Sequence, residues 1–323
     1  MLPPNSTILF DRSNWGHISL TGADRVRFLH NQTTQNIQQL SPGQGAHTVF
    51  VTSTGRTIDL AAAYLQADAI HLIVSPNMAA QLYDWMDRYI FFSDKVTLNN
   101  ESDRTFTFTL LGDRAGEIVT ELGASTLPEK PKFGHQTTSI AGVEISIAAN
   151  SDLALPGYTL WGELAQKETI QQAIAATSAT TGTPEQWEDL RIRQGRPMPN
   201  QELTEDDNPL EAGLWHSVSF EKGCYIGQET IARLHTYKGV KKRLWGLQLE
   251  QPVPVGATVQ LEDNKIGKVT SLTTYQDNPF ALAYIRTKAG GEGLAVAVDS
   301  VEAQVVPLPF VTHEYPEIGE NNQ

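Results

Sequence analysis

From Lys241 to Phe310 the chain reads as short stretches in which apolar and polar residues alternate: "RLWGLQLE", "ATVQLED", "KIGKVTSLTTY", "FALAYIR", "LAVAV" and "SVEAQVVPLPF". A period of two over such short runs specifies strands. Each short strand must hide one face, so the run has to close into a small barrel or sandwich over residues 241–312. What precedes it is the opposite. Residues 196–239 carry no clear period, and Pro197, Pro199 and Pro209 interrupt "MPNQELTEDDNPLEAGLW". A long irregular segment inside a compact protein is usually a functional one. The acidic end, residues 313–323, is expected to be disordered.

Upstream, two α+β segments are expected, over 1–100 and 101–240, the second including the irregular stretch. "HISLTG" alternates as a strand, and the helix "GADRVRFLHNQTTQNIQQL" follows, with Val26, Leu29 and Ile37 on one stripe. After the turn "SPGQG" come three apolar strands, broken at Thr54-Gly55 and Ala67-Asp68. A second helix begins after Pro76-Asn77 and places Met78, Leu82, Trp85, Met86 and Tyr89 on a core face. "RTFTFTLLG" then puts Phe106, Phe108 and Leu110 on one strand face. The helix "DRAGEIVTELGA", the strands "GVEISIAAN" and "GYTLWGE", and the helix "KETIQQAIAATSAT" complete the segment. Thr183-Pro184 then starts the helix of "PEQWEDLRIRQGRP" as N-cap and first helical residue.

The charge narrows the partners. A net charge of −13 and a pI near 5.0 oppose a phosphate backbone, so nucleic acid is not an expected partner. No apolar run of about 18 residues suggests a membrane span. "MLPPNSTILFDRSNW" lacks the basic and apolar regions of a signal peptide, so a cytoplasmic monomer is expected. The single cysteine excludes an internal disulfide and cannot by itself hold a structural zinc or an iron–sulfur cluster, although it can give one ligand to a shared cluster, so no resident metal is expected.

That cysteine, Cys224, lies in "FEKGCYIGQETIAR". Two readings stand. A free thiol is commonly an inert small hydrophobe. Here Lys222 would favour a thiolate, and Gly223 and Gly227 permit unusual backbone, although Glu221 and Glu229 oppose the field. His216 and His235 are the nearest candidate bases. The cations of "YKGVKKR", residues 237–243, read either as the solvated start of a strand or as a dock for an anionic ligand tail or an acidic protein. Arg191, Arg193 and Arg196 form a second cationic group. Arg191 and Arg193 lie two apart and cannot both face one ligand from a helix. In "STGRTIDLAAAY", Leu60, Ala62 and Tyr64 share a strand face that is either core or a surface against which a flat ring can lie.

These residues resemble a known family. "KGCYIGQE" is similar to the signature of the YgfZ-type folate-binding proteins, which support iron–sulfur cluster assembly and repair. "GADRVRFLHNQTTQNI", "GRTIDLAAAYL", "EDLRIRQGRPMP", "PLEAGLWHSVSFEKGCYIGQETIAR" and "KKRLWGL" resemble further blocks of that family in the same order. The wider superfamily includes the glycine cleavage T-protein, a tetrahydrofolate-dependent aminomethyltransferase. The resemblance implies an α+β, T-protein-like ring of three domains around a folate-sized channel. It also implies tetrahydrofolate or a one-carbon derivative as cofactor. The implied partners are the iron–sulfur assembly machinery or 4Fe–4S client proteins. By this resemblance Cys224 and Lys222 are the reactive residues, and Tyr64, Arg191, Arg193, Gln228 and Glu229 the folate-binding ones.

Two departures accompany it. The T-protein's catalytic aspartate position falls on Leu60, next to Asp59, and its pterin-side glutamate falls on Arg193. Leucine moves no proton, and arginine accepts no hydrogen bond from a pterin. A one-carbon transferase with an altered substrate, or a non-catalytic scaffold, are the alternatives.

Overall fold

A computed structural model describes residues 6–125, 127 and 133–316. Its contacts divide the chain into two compact units. One comprises the residues up to Thr48 together with Leu60–Pro184. The other comprises Val49–Asp59 and the chain from Glu185. The acidic tail from residue 317 lies outside the described residues.

Two mainly antiparallel sheets lie mostly in the first unit. One has the spatial order Gln44–Val51, Thr57–Leu65, Ala69–Val74, Gly16–Thr21, Thr97–Asn100. The other runs Thr180–Thr181, Ile8–Asp11, Thr105–Leu111, Gly157–Glu163, Val143–Ala148, His135–Ile140. Each sheet presents an apolar face to helices. Phe106, Phe108 and Leu110 do share a face, and they pack with Leu160, Ile145 and Ile147 against Ile118 and Val119 of the Ala115–Glu121 helix. Ile170 and Ile174 of the Lys167–Ala175 helix join the same core. On the other sheet the Ala79–Asp87 helix lies so close that a Cβ at Gly16 would stand 2.7 Å from the Ala79 Cβ. The opposite faces of the two sheets meet along a polar and aromatic seam.

The second unit contains a closed six-stranded barrel, Lys242–Leu249, Phe280–Arg286, Asn264–Thr273, Thr258–Leu261, Ala295–Val298, Val301–Val306. Leu247, Val259, Ala283, Ile285, Val298 and Val305 fill it. Bulges after Val259 and Val269 shift the register and increase the local twist that closure requires.

Several sequence expectations are corrected. The first helix stops at Gln32 because Thr33 is extended, so Ile37 is buried from a separate 3-10 turn, Ile37–Gln39. The second helix ends at Asp87, which leaves Tyr89 beyond it and 38 % exposed. The stretch 196–239 is not uniformly irregular: it contains a helix, Gln228–Thr236. The strands Ile8–Asp11, Thr97–Asn100, His135–Ile140 and Thr180–Thr181 escape the pattern because they are short or polar.

Phe106 is fully buried in the helix-covered core. Phe106→Ala should lower unfolding stability by about 3–5 kcal/mol, through lost transfer energy and the cavity left behind. Urea denaturation checks this; a loss under about 1 kcal/mol would contradict the packing described.

Candidate functional site

The cysteine-bearing loop is seated on a turn of the same unit. Gly227 adopts φ +80°, and a Cβ there would come within 2.6 Å of the Thr52 carbonyl oxygen and 3.0 Å of the Gly55 Cα. Gly55 itself has φ +73° and lies against Thr230. Both positions need glycine, for backbone conformation and for space. The turn is fixed in its own right. The Gly55 N–H donates to the Thr52 carbonyl at 2.8 Å, Arg56 Nη1 to the Asp206 carbonyl at 3.0 Å, and the Thr57 N–H to the Asp207 carbonyl at 2.9 Å. Gly227 therefore starts the Gln228–Thr236 helix from a clamped point, and Ile231 is the helix residue buried beneath it.

On this seat Cys224 is exposed and Gly223 is open, with no atom within 4 Å of a Cβ built there. Lys222 is the reverse. It is 6 % exposed, its Nζ stands over the Tyr225 ring at 4.6 Å, and burial lowers its pKa to about 7. The thiolate-supporting charge expected of Lys222 is thus only partly present at neutral pH. Gln228 donates from Nε2 to the Lys222 carbonyl at 3.5 Å, a long bond. Glu229 is exposed in the first helical turn, where the helix dipole favours its charge. His235 is stacked on Phe220 at 4.1 Å and lies 3.2 Å from the Pro316 carbonyl oxygen, while His216 packs edge-on to Phe310. Among the described residues no hydrogen bond joins Cys224 to either histidine.

The arginines expected among the folate-binding residues are engaged internally. Arg191 is buried and donates to Glu188, Gln201, Glu202 and Ser271, the last two at 3.1 and 3.0 Å. Arg193 donates to Asp189 at 2.6 Å and to the Asn278 carbonyl at 2.7 Å. In the other cationic group, Lys242 pairs with Asp207 at 2.5 Å and Arg243 lies over the Tyr315 ring, whereas Lys238 and Lys241 are exposed. Glu211 is 6 % exposed and accepts the Asn208 N–H at 3.3 Å; burial raises its pKa.

Tyr64 lies in the first unit, in the seam between the sheets. It is fully buried; Trp161 stacks on its ring at 4.8 Å and His135 meets it edge-on at 5.5 Å. The flat ring lying against the Leu60–Ala62–Tyr64 face is thus a tryptophan of the protein itself. The Tyr64 hydroxyl accepts from Asn150 Nδ2 at 3.0 Å, and burial pushes its pKa up. Nearby, Asp152 accepts from Arg12 at 2.9 Å and pairs with His47 at 2.7 Å. His17 and His71 approach Trp161 at 6.3 and 6.4 Å. None of Arg12, His17, His47, Asp152 and Trp161 stands out in the sequence, because only the meeting of two sheets assembles them.

Known proteins share this architecture. Residues 4–222 match the family described as the GCVT N-terminal domain. The glycine cleavage system aminomethyltransferase T of Bartonella henselae superposes with a TM-score of 0.82 over 97 % of this chain and 89 % of its own, at 20 % identity. The fold is therefore that of an aminomethyltransferase T, and the chain belongs to the GCVT family. A plant relative, "Putative transferase At1g60990, chloroplastic" of Arabidopsis thaliana, is 40 % identical over 97 % of this chain and 73 % of its own. An aminomethyltransferase of Listeria monocytogenes is 28 % identical over 94 % of this chain and 86 % of its own. Among the described residues no helix is long and apolar enough to cross a membrane, and no three His, Cys, Asp or Glu side chains could hold a metal ion together.

The seam has a pH signature. Burial, then His71 and Arg12, lowers the pKa of His17 to about 3, from 6.5 in the unfolded chain. Between those values the unfolded state binds more protons, so the stability due to a neutral His17 is complete above about pH 6.5 and falls as pH drops. At pH 5 the loss from this residue is about 2 kcal/mol. His17→Phe should flatten the decline between pH 7 and 5 in thermal or urea unfolding; an identical slope in the variant would refute the assignment.

Proposed function

We propose that the chain is a tetrahydrofolate-binding accessory factor of the YgfZ type that supports assembly or repair of 4Fe–4S clusters. The observation that carries this reading is the seated loop: "KGCYIGQE" presents an exposed Cys224 from a rigid turn, beside a lysine near its titration midpoint. The loop handles a cluster, a sulfur species or a one-carbon adduct at the folate site. Leu60, buried where the transferases carry an aspartate, supports a role other than aminomethyl transfer.

Folate recognition is assigned as follows. Glu211, buried and short of strong donors, is the carboxylate for the pterin N–H groups, with Gln228 and Glu229 at the loop. Lys238 and Lys241, exposed and cationic, take the anionic glutamate tail, because Arg191 and Arg193 are committed to Glu202 and Asp189. Tyr64, fully buried under Trp161, is not offered to the ligand as a stacking surface. The partners are the iron–sulfur assembly machinery or its client enzymes. The second reading, a one-carbon transferase with an altered substrate, draws its support from the relatives named as aminomethyltransferases.

Cys224→Ala should leave stability within about 0.5 kcal/mol, since the side chain is exposed, and should abolish rescue of 4Fe–4S enzyme activities in cells lacking the protein. Full rescue by the variant removes the thiol from the mechanism. Calorimetric titration with tetrahydrofolate should give saturable binding that Glu211→Gln weakens about tenfold or more. Turnover of an aminomethyl donor with tetrahydrofolate would favour the second reading.

A further inference from the structure

The helix Ala79–Asp87 and the strand Thr97–Asn100 of the first unit are joined by a loop that turns its aromatic side chains outward. Phe91 is 70 % exposed, Phe92 is wholly exposed, and Tyr89 beside them is partly so. Single exposed apolar residues are ordinary, but adjoining ones presented together mark an interaction surface. The tip is also held in this form. The Phe91 N–H donates to the Asp94 carboxylate at 3.0 Å and the Asp94 N–H to the Phe91 carbonyl at 2.9 Å, so residues 91–94 close a turn. Arg27 donates to Asp94 at 2.9 Å. Asp24 accepts the Lys95 N–H at 2.9 Å, and its own N–H donates to the Lys95 carbonyl at 3.1 Å. The rings cannot fold back onto the chain without breaking these bonds. A tip ordered beforehand loses little freedom on binding.

The charges beside the tip select its partner. Arg27, Asp24 and Asp94 are paired with one another. Among the described residues Asp84, Asp87, Arg88 and Lys95 are exposed and form no ion pair, which leaves two charges of each sign. An anionic membrane, or a strongly acidic or basic protein, calls for an excess of one sign. A surface that meets its own copy about a two-fold axis needs both, because each flank faces the opposite flank of the other copy. Asp84 and Asp87 stand at the helix end of the loop and Lys95 at its strand end. The two-fold therefore brings Lys95 of each copy toward the carboxylates of the other. We infer that the Tyr89–Phe92 tip is a self-association surface through which two copies of this chain form a two-fold dimer, in place of the monomer expected from the sequence. The aromatic residues of two copies hide roughly 800 Å² between them, before the charged rim is counted. That is the size of a weak, reversible interface. The surface carries no part of the folate reading, so either can fail alone.

The test is sedimentation equilibrium of the full chain over a concentration series. The mean mass should rise from that of one chain toward that of two, with half-association between about 10 and 100 µM, as small interfaces give. Phe92→Asp should weaken association at least about tenfold while leaving the circular dichroism and melting temperature unchanged, since the side chain is exposed. Two charge variants test the surface without touching its aromatic residues. Asp84→Lys with Asp87→Lys leaves only cations beside the tip, and Arg88→Glu with Lys95→Glu leaves only carboxylates. Each alone should stay monomeric through like-charge repulsion, and an equal mixture of the two should associate again. A native chain still monomeric at about 500 µM, well above that range, overturns the inference. So does association that Phe92→Asp leaves unchanged, or a mixture of the charge variants that fails to associate. A monomeric chain that co-sediments with phosphatidylcholine vesicles would give the tip to a lipid surface and overturn it equally.

Discussion

The geometry of the cysteine loop depends on one backbone contact, Gly227 against the Thr52 carbonyl and Gly55. A side chain at 227 would meet that oxygen at 2.6 Å, and its positive φ would be strained even with space. The contact decides where the Gln228–Thr236 helix begins, and so where the five residues before Gly227 can go. They are forced into a short excursion with Cys224 outward and Lys222 inward. A loop without this anchor would let both side chains into water, and the lysine would regain its ordinary basicity.

The first unit meets a different constraint. Its two sheets each turn an apolar face to helices, so the faces left to meet each other are polar: Thr107, Thr109, Thr159, His17, Ser19 and Tyr64. A polar seam is stable only where its groups find partners. The Arg12–Asp152–His47 set and the Asn150–Tyr64 bond provide them at one end, and the Trp161–Tyr64 stack fills the middle with apolar area. Breaking such a buried pair costs more than the pair contributes, because the remaining charge stays buried. The same dryness keeps His17 neutral, which makes the seam the acid-sensitive part of the unit.

Much of the fold was legible. The barrel, the strand with Phe106, Phe108 and Leu110, and the helix beginning at Pro184 all follow from period and capping. The helix at 228–236 was not, since its start is a left-handed glycine with no side-chain cap and it fully buries one residue, Ile231. In the candidate site, the cysteine was legible because it is single, and Gly227 because it sits beside it. Burial was not. Lys222 and Arg191 look alike in sequence as cations near a functional segment. One is desolvated over a ring and loses basicity, and the other is buried among carboxylates and keeps its charge. Tyr64 likewise looked like an open stacking surface, because nothing in its strand announces the tryptophan that comes from a strand far along the chain.

A leucine at position 60 has a physical meaning of its own. A carboxylate on a fully buried strand position would need its own hydrogen-bond partners, and leucine there adds packing instead. In the second unit burial lowers the pKa of Lys222 to about 7 and raises that of Glu211 above the usual carboxylate range. Opposite shifts of a base and an acid by burial are common where general acid–base and nucleophilic chemistry occurs. In the cysteine loop a buried amine and an exposed thiol lie just before one clamped turn.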